Sequence, residues 1–201
     1  MTDKTVADKD EPSPLQAGDN LTGHFLIAMP ALNDGVFNKA VTYICEHDEN
    51  GSFGIIINQQ TRITLEQIAD EMKIETGDNY DRHLPIFLGG PVDQGRGFIL
   101  HRPSGQWKSS LKVNNTVSLT TSKDILTALV HDKGPEDCIV ALGYAGWSAG
   151  QLDEEIASNT WLSCPADEQL IFNTPVEERW QAAARLIGID LSMLSSDAGH
   201  A

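Results

Sequence analysis

Basic charge is scarce in this chain. Its 201 residues carry 14 Lys and Arg against 29 Asp and Glu, a formal net charge of −15. From residue 142 onward only Arg179 and Arg185 are basic, and no Lys/Arg cluster occurs anywhere. A nucleic-acid duplex or an anionic membrane surface is repelled by that balance. Cysteine is scarcer still. Cys45, Cys138 and Cys164 are odd in number, far apart and in no C-x-x-C spacing. This argues against a disulfide framework or a zinc site and for a reducing compartment. Long apolar runs are absent, none approaching the roughly 20 residues of a membrane helix. The opening "MTDKTVADKDEPSPLQAGDN" is polar and lacks the apolar core of a signal peptide. Residues 1–20 therefore read as a disordered lead-in, 192–201 as a flexible tail, and the protein as cytoplasmic. No repeat or linker divides 21–191, which is long enough for one domain with a substantial core.

What is present is strand and helix punctuation. "HFLIAM" (24–29), "VTYICEH" (41–47) and "FGIIIN" (53–58) are β-rich runs, the last two separated by the hairpin signal Asn50-Gly51. Further strands are predicted at 85–88, 97–101, 116–120, 138–142 and 169–172. Thr64 with Gln67 three residues on forms a capping box ahead of "LEQIADEMKI". A second helix follows Thr121 or Ser122 and stops at Gly134-Pro135. A third starts at Thr174, with Pro175 in its first position, and ends at Gly188. Strands in groups, rather than in strict alternation with helices, predict an α+β fold with a mixed, largely antiparallel β core flanked by helices.

The chemistry centres on "GWSAG" (146–150), a G-x-S-x-G pattern between a predicted strand and a predicted helix. That is the context of a hydrolase elbow, with Ser148 as nucleophile. The only downstream histidine is His200, next to the end of the chain, a poor platform for a general base. Serine is also a favoured N-cap, and Gln151 three residues later completes a capping box. Ser148 is thus a weak catalytic candidate and a better helix cap. The glycines suggest another use. Gly89, Gly90 and Pro91 follow one strand; Gly143 and Gly146 follow another. Turns of this kind bring backbone N–H groups close to an anion. Tyr144 and Trp147 supply a stacking wall and Arg96 a counter-charge, defining a candidate cleft for a small anionic ligand or a peptide. Cys45 and His47 in "CEHDEN" are too few for a metal site, and no metal or cofactor is expected. Trp161, Trp180 and Phe172 read as core, and Asp153-Glu154-Glu155 as a solvated helix face.

Three segments together carry a resemblance: "FLIAMPALNDGVFNKAVTYICEHDENGSFGIIIN", "LPIFLGGPVDQGRGFILH" and "GYAGWSAGQLDEEIASNTWLSCPADEQLIFNTPVEERWQAAARLIGID". In order and phrasing they resemble the AlgH/YqgE family of bacterial proteins from about residue 21 to 191. The resemblance implies a compact α+β domain with a barrel-like strand core. It implies no reaction, and one branch of the family is associated with regulation of alginate production. The leading expectation is a non-enzymatic binding or regulatory protein, an indirect transcriptional regulator acting through a protein partner or a small anionic ligand, without direct nucleic-acid or membrane binding. A serine hydrolase using Ser148 and a ligand-binding protein with a Gly-rich cleft are the alternatives.

Overall fold

A computed structural model describes residues 20–32 and 35–191. The expected tail (192–201) lies outside them, as does the expected lead-in apart from residue 20. The strands are β1 (His24–Ala28), β2 (Val41–Asp48), β3 (Gly51–Ile56), β4 (Ile86–Leu88), β5 (Val92–Arg102), β6 (Ser110–Lys112), β7 (Ser118–Thr120), β8 (Asp137–Ser148) and β9 (Trp161–Pro165). They form one curled sheet in the order β6-β7-β5-β8-β3-β2-β1-β9, with β4 paired to β8 outside that path. Among the described residues only β4–β8 is parallel, and the other strand pairings are antiparallel. The α+β expectation holds, and the core is a half-barrel flanked by helices.

Strict alternation distributes side chains between the two faces of the sheet. Phe25 and Ile27 of β1 enter an inner core with Tyr43, Ile55, Phe98, Leu119, Ile139 and Cys164. Leu26 and Ala28 enter an outer core with Ile44, Ile56, Trp147 and Trp161. Both faces of β1 are thereby covered, which is why "FLIA" is apolar at every position; Phe25 to Ala28 have no exposed surface. Each large side chain so buried contributes about 1.5–3 kcal/mol. A second outer core lies under α1 (Leu65–Glu71) and α2 (Lys123–Leu129), whose Leu65, Ile68, Ile125 and Leu126 meet Ile86, Ile99 and Val140. Helices α4 (Glu168–Phe172) and α5 (Arg179–Arg185) cover the inner core with Leu170, Ile171, Ala183 and Ala184.

Several elements differ from expectation. The run 169–172 is helix α4, not a strand: Asp167 accepts from the backbone N–H of Gln169 at 2.8 Å, starting a helix that a short apolar run could not announce. Strands β6 and β9 had no clear sequence signal. The "NG" hairpin is real, but Glu49 and Asn50 form its tip and Gly51 pairs with Asp48. Thr64 and Gln67 make the full capping box. Ser122 occupies its N-cap position but gives no side-chain cap; its hydroxyl goes to the Lys108 carbonyl instead. The second helix ends at Leu129, before Gly134-Pro135. Pro175 is extended (φ −51°, ψ 138°), so the last helix begins later, with a 3-10 turn at Val176–Glu178 ahead of α5.

The largest correction concerns β8. It does not stop at residue 142 but runs on through "GYAGWS". Helix α3 (Gln151–Ala157) is preceded by Gly150 at φ +73°, so Ser148 is not its N-cap. Half the predicted box survives: Gln151 Oε1 accepts the Ser148 backbone N–H at 3.0 Å.

Candidate functional site

Residues 140–142 of β8 pair with β4 in parallel and with β5 antiparallel, so those two strands lie on opposite edges of β8. The link from Leu88 to Val92 must therefore cross β8, and Gly89 and Gly90 make the crossing. A Cβ on Gly90 would lie 2.1–2.3 Å from the Tyr144–Ala145 peptide, and one on Gly89 2.3 Å from the Gly143 carbonyl. No side chain fits between backbones this close. Gly143 (φ +72°) closes the same crossing against the carbonyls of Gly90 and Val92. Beyond it β5 bulges: Val92 pairs with Tyr144 and Gly97 with Leu142, leaving Asp93–Arg96 opposite Gly143 alone. Bulges of this kind re-aim side chains. This one places the Arg96 guanidinium 5.3 Å from the centre of the Phe98 ring and its Nη2 3.4 Å from Thr121 Oγ1.

Beside the bulge lies a cleft of about 710 Å³, at the open end of the inner core. Its floor is three mutually packed rings, Phe53, Phe98 and Tyr144, with centroids 5.0–5.7 Å apart. Leu111 and Leu119 extend the apolar surface; Gly146, Trp147 and Ser148 form one wall; Glu46 and Asp48 stand at the hairpin rim. Hydrogen bonds from the backbone and side chain of Asn50 hold the Asp48 carboxyl below its ordinary range. Of the residues picked from sequence, Arg96, Tyr144, Gly146, Trp147 and Ser148 line this cleft. Gly89, Gly90, Pro91 and Gly143 do not, because the three glycines are occupied by the chain crossing. Phe53, Phe98, Glu46 and Asp48 escaped sequence reasoning. One signal was available: in "RGF" a strand puts Arg96 and Phe98 on the same face.

Ser148 is exposed at the end of an antiparallel strand, not on an elbow between strand and helix. Among the described residues, the serine and imidazole that meet are Ser52 and His47, hydrogen-bonded at 2.8 Å across the β2–β3 hairpin; Ser52 lines the cleft. The wall is braced from behind. Glu155, read from sequence as part of a solvated face, accepts the indole N–H of Trp147 (2.9 Å) and of Trp161 (2.8 Å) on one oxygen. Gln151 donates to its other oxygen. Phe37 packs edge-on to Trp161 and against Trp147. Cys45, in the inner core, and His47, on Ser52, serve separate ends; among the described residues no group of three or more His, Cys, Asp or Glu could hold a metal. Burial pushes the Cys138 thiol up to about 12 and the Cys164 thiol up to about 11. No helix among the described residues is long and apolar enough to cross a membrane.

Comparison with known proteins matches this architecture. The model of the AlgH-like family covers residues 25–192. A UPF0301 protein of Thioalkalivibrio sulfidiphilus is 54% identical over 187 residues, 93% of this chain and 100% of its own. One from Nitrosococcus oceani is 52% identical over 89% of this chain and 95% of its own. The solution structure of the AlgH protein from Pseudomonas aeruginosa superposes with a TM-score of 0.74 at 41% identity, covering 97% of this chain and all of that one. A crystal structure from Corynebacterium diphtheriae, 18% identical, shares the fold with a TM-score of 0.66 over 94% of each chain. The glycine crossing, the bulge that carries Arg96 and the tryptophan-braced wall are therefore features of a chain that belongs to the AlgH-like family.

Proposed function

We propose that this protein is a non-catalytic binding protein, and that it binds through the cleft between β3, β5 and β8. The carrying observation is the bulge at 93–96, which holds Arg96 over an aromatic floor that opens to the surface. A cleft of this size with apolar walls and a few convergent polar groups has the form of a ligand site. The net charge of −15 favours an indirect regulatory role over contact with DNA. Three unpaired thiols suit a reducing cytoplasm. A small anion is a weaker ligand candidate than the sequence alone suggests, since Glu46 and Asp48 face the same space as Arg96. The test is a thermal-shift and NMR screen of small anions, aromatic acids and peptides. Ligands should move the signals of Phe53 and Tyr144 and lose about tenfold in affinity in Arg96→Ala. A screen in which every hit maps elsewhere refutes the reading.

A hydrolase reading rests on one observation, the Ser52–His47 hydrogen bond beside the cleft, and so moves from Ser148 to Ser52. A fluorophosphonate probe decides it. No labelling is expected; labelling abolished by Ser52→Ala would establish the enzyme.

A further inference from the structure

The β8 edge beyond the glycine crossing has a partner on one side only. Residues 145–148 pair with Gly51–Gly54 of β3. The opposite edge loses β5 after the Val92–Tyr144 pair. Along that edge, among the described residues, no strand continues the ladder, and Ser148 spends its backbone N–H on the Gln151 side chain. Gly146 lies between these two ends, exposed and without a Cβ, in the cleft wall. An unpaired edge flanked by side-chain pockets is what an added strand requires.

We propose that the cleft takes an extended, basic peptide segment of a partner protein, which adds as a strand to the free edge of β8 at residues 145–148. This rests on the binding reading above and names its ligand. Alternate side chains of such a strand point to one face, so one apolar side chain meets the floor of Phe53, Phe98 and Tyr144. Charge sets the rest of the segment. Glu46 and Asp48 stand exposed at the rim, on a chain of net charge −15, and attract lysine or arginine at the segment's ends. Among the described residues Arg96 has one long hydrogen bond, to Thr121, and its other donors are left for the peptide's carbonyls.

The test uses the full chain and two fluorescent hexapeptides, KVFVKV and EVFVEV, read by polarisation and by hydrogen exchange at the Gly146 amide. KVFVKV should bind at least about tenfold tighter, and Glu46→Gln with Asp48→Asn should erase the preference; both sites are exposed, so folding is not at stake. N-methylation of alternate amides in one register should abolish binding, and in the other register spare it, because ladder hydrogen bonds use every second residue. Gly146 exchange should slow on binding. Equal affinity for both peptides, or equal tolerance of both N-methyl registers, overturns the proposal. Concentration-dependent shifts at 145–148 without peptide also overturn it, in favour of a second copy on the edge. If small ligands move Phe53 and Tyr144 and the peptides do not, the peptide proposal fails while the binding reading stands. If neither moves them, both fail.

Discussion

Arg179 lies 5.5 Å from the centre of the Phe87 ring and Arg96 5.3 Å from that of Phe98, as Arg102 lies 5.0 Å from that of Phe172; the first two make the contrast. Their surroundings differ. Arg179 is only 5% exposed, and its donors go to the carbonyls of Thr174 and Ile57. Burial pushes its pKa down to about 10, with Glu177 opposing the shift. Arg179 is consumed by the fold: it pins the start of α5 to the chain leaving β3. Arg96 is exposed, carried on a bulge and, among the described residues, hydrogen-bonded only to a threonine, at 3.4 Å. The same stacked pair serves closure in one place and presentation in the other. What separates them is whether the guanidinium finds backbone acceptors within its own chain.

Gly90 supports both regions, and Gly90→Ala should cost most, about 4 kcal/mol or more, because the new Cβ meets backbone that cannot move aside; urea unfolding measures it. Arg179→Met should cost about 3 kcal/mol by stranding the buried Ile57 carbonyl and the half-buried Thr174 carbonyl, with no specific effect on the cleft. Glu155→Ala leaves two indole N–H groups without their acceptor and should cost about 2 kcal/mol, seen also as a change in tryptophan fluorescence.

His101 gives a smaller, pH-dependent effect. Burial lowers its pKa, and it shares a hydrogen bond of 2.9 Å with Thr120. The unfolded imidazole, near 6.5, therefore takes up its proton first as pH falls. Stability present above about pH 6.5 declines below it, by at most about 1.4 kcal/mol per pH unit. His101→Asn should flatten the stability profile between about pH 7 and 5. Arg96→Ala should be smallest, within about 0.5 kcal/mol of the parent in stability. A larger loss there would show that Arg96, like Arg179, belongs to the fold.

Sequence patterning reached the parts of the molecule that obey a local rule. Thr64 with Gln67 announces its helix because the box is closed within four residues. The doubly buried β1 reads as a plain apolar run. Patterning failed where partners are distant. Gly146 looks like a turn glycine, yet it lies in a strand because Phe53 of β3 pairs with it. Glu155 looks solvated, yet two tryptophans converge on it, one of them from the preceding strand. Of the proposed cleft, the Arg96–Tyr144–Trp147 side was legible. The Glu46 and Phe53 side was not, because the β3–β8 pairing that assembles it joins segments almost a hundred residues apart in sequence.

The crossing at Gly89-Gly90 also bears on the order of assembly. It ties β4 to β5 by a short clasp, and the space within that clasp is filled by a strand that emerges from the ribosome much later. Until β8 arrives, β4 and β5 have no common neighbour, and the clasp closes a loop around nothing. Chain-end fragments that stop before residue 137 therefore leave both strands with unpaired edges. Completing the sheet requires β8 to fit between two strands already joined, a long-range pairing of the kind that slows folding.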